Sequence, residues 1–524
     1  LSDTLHLRRP DRLVLLGILA VTAAVYLLLW DIPLYGDAWG YGYRSAEWMA
    51  ENGLQPIPAG AERGEQAMGH PPLFFWVWAV LIAVLGGGLR VAHLLPAAAT
   101  FFALWGTYRL TLTLARCRAT AVLAAAGLLA TPIFLANSVN PLPDVAVGAA
   151  SVWTLLFYAR GRPVATVLTA SLAVALREQA VVLPAALVAV ELLKGGWRRP
   201  GRLLLLASPV LLLVVNGLAY LAVNGYFFFG THLGSPEPVG AAVLAGRFRT
   251  FFGFLFADGW RWLPVTVAAA LMAGGIRRGG ILPVLLLLSP AVLYPPGRIL
   301  WLAAVAAAAA LHLSRCGMPG RGASASLAFP AATAAFFVVV IIVSPSPLDL
   351  YRYLLIAVPA VIAGVLSAVR RLGGRRLTLA VGGLFAVLAL AANRTAEPTD
   401  QAESSLAWVR GQLALREAIR FAAEAGDTLL VSQLHLQKLS DPHVGYVSEP
   451  VPGRDILAPL DRRTPYTAVI GQRSPQERAL ADTIREWYST THHMRLDTVV
   501  RRGSFSVNVY RMPPRAAADG LSPR

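Results

Sequence analysis

The sequence predicts a polytopic membrane protein of α-helices with a small α/β domain at its C-terminal end. Three observations predict it: the composition, the length of the apolar runs, and the side of the membrane on which charge falls. Of 524 residues, 56% are hydrophobic and only 14% charged, with a mean hydropathy of +0.57. A soluble domain carries about 25% charged residues, so a soluble enzyme, a disordered chain and a fibrous repeat are excluded. The net charge of +17 would suggest nucleic acid in a soluble protein; here its position decides its meaning. Lys194 and Lys438 are the only lysines. Neither closes a G-x-x-x-x-G-K loop, which argues against a nucleotide-driven pump or a nucleotide cofactor.

The run 13–30 is long enough to span and lacks a small-residue cleavage site, so it reads as a retained first helix. Arg8, Arg9 and Arg12 put its start in the cytoplasm. Apolar runs follow at 91–114, 119–136, 145–159, 163–176, 179–193, 203–222, 264–276, 281–293, 299–313, 327–343, 354–369 and 377–392. The stretch 73–85 decides the parity. If it lies along the outer leaflet, every basic cluster from Arg116/Arg118 to Arg370–Arg376 falls inside. The cytoplasmic segments then hold 19 Lys/Arg against Asp3 and Asp11, and the external loops before residue 394 hold 9 Lys/Arg against 11 Asp/Glu. That separation favours about 13 spans, juxtamembrane helices in the first external loop, and an external C-terminus. The expected site is the inner (cytoplasmic) membrane, multi-pass. Cys117 and Cys316 sit at cytoplasmic ends, where thiols stay reduced.

The composition changes after Asn393, which sets a boundary between a membrane domain, 1–394, and an external domain, 395–524. The second has no spanning run. Helical periodicity at 413–425 and 476–488, buried strands at 428–432 and 467–470, and an alternating strand at 504–510 describe a small α/β fold with a frayed tail.

Polar residues with chemical potential concentrate in the external loops. Asp37, in Tyr35-Gly36-Asp37-Ala38-Trp39-Gly40-Tyr41, is a general base, a metal ligand or a helix cap among interfacial aromatics. Pro71 and Pro72 hold His70 at the lipid–water boundary, where it can donate to a phosphate or bind a metal with Glu65; a capped turn is the plainer alternative. Asp144 opens the run at 145–159 as an N-terminal acid, ordinarily a cap, on the same water-filled side. Arg177-Glu178 interrupts an apolar stretch from 163 to 193, a costly placement unless the charges are paired or line a cavity. Either the two form a mutual ion pair, or Arg177 grips a lipid-linked phosphate. Arg352, between Tyr351 and Tyr353, is an interfacial anchor or a second phosphate contact. No HExxH, G-x-S-x-G or Cys/His ligand set is present.

In this order, Gly-Asp-x-x-x-Tyr at 36–41, His-Pro-Pro-Leu at 70–73, Asp144, a basic external turn, and Arg-Tyr-Leu-Leu at 352–355 with Pro359 downstream resemble the GT-C superfamily of glycosyltransferases. The likeness is to the protein O-mannosyltransferase and lipid A aminoarabinose transferase group. It implies a GT-C-like fold and transfer of a sugar from a polyprenyl-phosphate donor to an acceptor hydroxyl, on glycan, lipid or protein, at the outer face with inversion. By motif position Asp37 resembles the family's candidate base and Asp144 its second essential acid. Arg177, Arg352, His70 and Tyr351 fall to the donor phosphate, and Tyr41 and Glu178 to the substrate. Ala38 follows Asp37 where the family carries a second acid. Glu65, His70 and His232 are what remains for a divalent metal such as Mg, Mn or Zn. Nucleic acid is not an expected partner.

The chemistry agrees with the residues: a lipid phosphate leaves without an acid, provided that cations stabilise the charge it develops. The rivals are a transporter or flippase of lipid-linked sugars, an O-antigen ligase or polymerase, and a non-catalytic receptor. No internal repeat of the 37–72 block supports the first, and the longest loop between spans is the first, not a late one as the second requires.

Overall fold

The computed structural model describes residues 9–57, 59, 69–193, 195–227, 240, 246, 251–273, 301, 303–309, 351–395, 405–424, 426–431, 433–456, 465–472, 482, 486, 494–502 and 505–512. These residues form apolar helices and one small sheet near the C-terminus. Among the described residues four helices are long and apolar enough to cross a bilayer alone: Arg9–Leu29 (α1), Leu89–Ala115, Pro200–Asn224 and Val358–Arg394. Leu73–Leu85, Arg118–Ala130, Pro143–Ala159, Pro163–Leu176 and Trp262–Met272 are shorter apolar helices. Runs 281–293 and 327–343 lie outside the described residues, and so does 299–313 apart from 301 and 303–309.

In chain order after α1 come α2 (Arg44–Glu51), α3 (Leu73–Leu85), α4 (Leu89–Ala115), α5 (Arg118–Ala130) and α6 (Pro132–Asn137). The run expected at 119–136 is therefore two helices. Pro132 has no N–H to continue α5, but it suits the first turn of α6. Next are α7 (Pro143–Ala159), α8 (Pro163–Leu176) and α9 (Val182–Leu193). The helix Val358–Thr395 (α10) breaks at Gly374, whose φ of 81° leaves helical geometry. This break separates the runs 354–369 and 377–392 read from the sequence.

α1 and α4 are antiparallel along their length. At one end the Tyr26 hydroxyl donates to the Arg90 carbonyl at 3.0 Å, and Arg90 lies over the Trp30 ring. At the other, Tyr108 donates to the Asp11 carboxylate at 2.7 Å, which also accepts from Arg118 at 3.0 Å. The C-terminal end of α1 and the N-terminal end of α4 therefore lie together. The Asp11 end also collects Arg160 on Thr113, Arg371 on the Leu114 carbonyl, and Arg202 on Glu191. Arg118, Arg160, Arg202 and Arg371 belong to the basic clusters that charge counting groups on one side; residues 277, 278, 315 and 321 lie outside the described residues. Asp11→Ala leaves the buried Tyr108 hydroxyl and Arg118 without their acceptor. A loss of about 1–3 kcal/mol, with no change in activity, is expected in thermal unfolding of the purified protein.

The described part of the C-terminal segment holds a helix, α11 (Leu406–Ala423), packed on a five-stranded sheet of order β2-β1-β3-β5-β4, and a shorter helix, Gln433–Ser440. β1 (Thr428–Val431) pairs in parallel with β2 (Gly453–Asp455) and β3 (Tyr466–Gln472). β5 (Phe505–Met512) runs antiparallel between β3 and β4 (Arg495–Arg502). Ser405 caps α11 by accepting from the Ala407 N–H. The strands read at 428–432, 467–470 and 504–510 are β1, β3 and β5. The helix read at 413–425 starts earlier, at Leu406, and that read at 476–488 falls outside the described residues except for 482 and 486. Arg410 ties this unit to the carbonyl of Asn393, and Asn393 ties α10 to the carbonyl of Ala130.

Candidate active site

At the end of the molecule opposite Asp11, five chain segments bring their charged residues together. The first segment turns at Gly36 (φ 55°) into a single π-helical turn, Ala38–Tyr43. Such turns re-aim side chains and are frequent at functional sites. Trp39, Tyr41 and Tyr43 are buried, while the Asp37 side chain stays 41% exposed. Tyr41 packs 5.7 Å from the His70 ring and 5.9 Å from Phe75, centroid to centroid. Burial raises the Tyr41 hydroxyl pKa well above its ordinary value, and the Asp37 charge adds to this against the pull of Arg177 and Arg352.

Asp144 lies in the first turn of α7, and Gly148 one turn later explains what reaches it. A Cβ at Gly148 would lie 2.8 Å from the Leu355 carbonyl oxygen, so only glycine lets the 3₁₀ turn Tyr351–Ile356 approach α7. Ser151 fastens the contact by donating to the Ile356 carbonyl at 2.8 Å. Arg352 is thereby set beside Asp144, Nε to Oδ2 at 3.5 Å, and also donates to the Asp37 carboxylate. Gly148→Ala is expected to cost about 1–3 kcal/mol by overpacking, read as a lower unfolding temperature.

α8 ends at Leu176, and Arg177 is extended (φ −162°, ψ 134°) before a 3₁₀ turn starts at Glu178. The break turns the two charges in different directions. Arg177 Nη1 donates to Asp144 Oδ1 at 2.8 Å, with both side chains 2% exposed. Glu178 receives His70 Nδ1 at 3.0 and 3.1 Å. The mutual Arg177–Glu178 ion pair considered from sequence is replaced by these two separate pairs. Burial opposes the charge on both residues. The Asp144 carboxylate nevertheless lifts the Arg177 pKa above its ordinary value. The His70 charge and hydrogen bond, with Arg177 behind them, pull Glu178 down to about 2. A carboxyl depressed in the folded state contributes stability above its unfolded pKa and loses it as pH falls through the folded value. Wild-type protein is therefore expected to lose stability between pH ~4.5 and ~2, and Glu178→Gln to flatten that part of the unfolding profile.

Tyr353 lies beneath both guanidiniums, 4.3 Å from that of Arg177 and 5.6 Å from that of Arg352. Arg177 is two-sided: Nη1 is on Asp144, while the buried Nε and Nη2 have no hydrogen-bond partner among the described residues. Tyr220 donates to the His70 carbonyl at 3.2 Å.

The chain is similar to ArnT. The crystal structure of ArnT from Cupriavidus metallidurans bound to undecaprenyl phosphate aligns over 94% of this chain and 97% of that one, at 17% identity and a TM-score of 0.41. Its apo state aligns over the same shares at 17% identity and a TM-score of 0.42. The apo Archaeoglobus fulgidus oligosaccharyltransferase covers 84% of this chain and 64% of that one, at 15% identity and 0.39. No family model and no curated protein sequence matches the chain.

Of the residues picked out from the sequence, Asp37, Tyr41, His70, Asp144, Arg177, Glu178 and Arg352 form one connected cluster. The backbone of Tyr351 lies in the same 3₁₀ turn. Glu65 and His232 fall outside the described residues. Among the described residues no group of three His, Cys, Asp or Glu could hold a metal ion, and the carboxylate on His70 is Glu178. Sequence reasoning missed Gly148, Ser151, Tyr220 and the bearing role of Tyr353. Tyr353 is signalled by its place after Arg352, whereas the others are ordinary residues of apolar runs.

Proposed function

We propose that this protein is a membrane glycosyltransferase that moves a sugar from a polyprenyl-phosphate donor to an acceptor hydroxyl at the outer face. The observation that carries this reading is the buried arginine pair, in which Arg177 Nε and Nη2 have no hydrogen-bond partner among the described residues. Arg177 and Arg352 are buried, are held in place by carboxylates, and meet over Tyr353 beside one exposed carboxylate. A buried guanidinium with unpaired N–H groups is costly unless a ligand anion completes its shell. A phosphate beside Arg177 would do so.

Asp144 and Asp37 then take different roles. Asp144, sealed between two arginines, positions them and is not open to a substrate. Asp37 is accessible and serves as the base. The acceptor hydroxyl oxygen attacks the anomeric carbon and forms the new glycosidic bond, while its proton passes to an Asp37 carboxylate oxygen. The bond from the anomeric carbon to the phosphate oxygen breaks on the opposite face, and polyprenyl phosphate departs with the electron pair. The arginines stabilise the charge gathering on that oxygen. Attack from the face opposite the leaving group inverts the anomeric centre.

The site end is read as external, with the N-terminus cytoplasmic, because the basic clusters gather at the Asp11 end. No step requires a metal. The reading is tested by incubating reconstituted protein with a polyprenyl-phosphate donor carrying a labelled sugar and membranes that supply the acceptor. Covalent label on the acceptor together with free polyprenyl phosphate supports it. Label that crosses the bilayer still attached to its lipid would instead make the protein a flippase.

A further inference from the structure

The carboxylate assigned as base stands on a short strut, residues 31–36, whose polar contacts come from two separate parts of the molecule. From the helix bundle, His93 of α4, buried to 3%, donates Nε2–H to the Ile32 carbonyl at 2.9 Å. From the C-terminal unit, the Leu34 N–H donates to the Val444 carbonyl at 3.0 Å. Arg416 of α11 donates both to the Asp31 carbonyl and, at 3.2 Å, to its carboxylate. Ile32, Leu34 and Tyr35 are almost fully buried. The strut therefore enters the π-helical turn of Asp37 with its backbone held at residues 31, 32 and 34.

Val444 ends a short strap, Pro442–Val444, capped by the Asp441 side chain on the His443 N–H. Gly445 follows in the left-handed region with φ 91°. A Cβ there would stand 2.4 Å from Leu89 Cδ1, at the first residue of α4. His443 lies on the other side of that junction, at ordinary contact distance, 3.8 Å from the position of a Gly87 Cβ. The strap is thus seated in the glycine turn between α3 and α4 and reaches the strut from there.

We propose that the C-terminal unit is a positioning element for catalysis. Its Pro442–Val444 strap, set by the turn at Gly445, and Arg416 fix the strut that aims Asp37, with His93 as the opposing hold. This inference rests on the assignment of Asp37 as the base. It predicts that loosening the strap lowers turnover while leaving the arginine site, and hence donor binding, in place.

The test is Gly445→Val in the full-length chain, which adds a branched side chain at a positive φ against Leu89. It is read by steady-state kinetics and by hydrogen exchange of amides 31–37. The expected result is a fall in kcat of about 100-fold, the scale of a displaced reactive group, with KM for the donor unchanged and faster exchange at 31–37. Gly426→Ala, at a second positive φ (73°) with open space around its Cβ, should change neither. Gly445→Ala combined with Leu89→Ala, which removes the clash, should recover part of the lost kcat. If Gly445→Val does not fold, Arg416→Ala carries the same test, with exchange rising at 31–34. Unchanged exchange and unchanged kcat in a folded variant would overturn the proposal. Faster exchange in a protein whose wild type transfers no sugar would leave the strap in place and refute the assigned reaction instead.

Discussion

Asp37→Asn is expected to lower sugar transfer by about 100- to 10,000-fold, the range supplied by a positioned general base, while the protein still folds and still binds its donor. The asparagine carbonyl can accept from Arg352 much as the carboxylate does, so the arginine keeps a neighbour. The Asp37 side chain is 41% exposed, so the fold depends little on its charge. What the variant lacks is a site for the acceptor proton. Single-turnover transfer measured beside equilibrium donor binding separates the two effects. Wild-type turnover by Asp37→Asn removes it as the base.

Asp144→Ala should act on the other half of the site, and on the fold. Its carboxylate is 2% exposed and faces Arg177 at 2.8 Å and Arg352 at 3.5 Å. Removing it leaves two buried cations side by side, and breaking a buried pair in this way costs about 3–5 kcal/mol. A large drop in unfolding temperature and loss of transfer are expected together. Replacing the pair separates them: Asp144→Leu with Arg177→Met exchanges buried charge for apolar volume, which is often neutral for stability. That double variant should regain most of the unfolding temperature and none of the activity. If it regains activity, the pair is structural only.

Much of the site was legible because ionisable residues in apolar runs are expensive and so stand out. Arg177 and Glu178 stand out on that ground, Asp144 by its place at the outer start of an apolar run, and Asp37 and His70 by the Gly, Pro and aromatic residues around them. Their pairing was not legible. Whether Arg177 would turn to Glu178 or to Asp144 depends on the extended backbone at 177, which no spacing rule reports. Gly148 is one small residue among many in α7, and its significance appears only when the Leu355 carbonyl is seen against it. In the C-terminal unit, alternating or buried strands were recognisable. β4 was not, because Arg495, Asp497, Arg501 and Arg502 on an exposed edge read as a loop while serving to protect that edge. β2 has three residues, too few for any periodicity.

The central claim is that the buried arginines receive a polyprenyl phosphate, and retention of that lipid tests it most directly. Wild-type protein and Arg177→Lys would be loaded with a polyprenyl-phosphate sugar, repurified, and weighed intact by native mass spectrometry. Lysine keeps the charge but loses the fork that can hold Asp144 and a phosphate together. A lipid-bound mass on the wild type that is largely lost from the variant is expected. No bound lipid on the wild type, or equal retention by both, would contradict it.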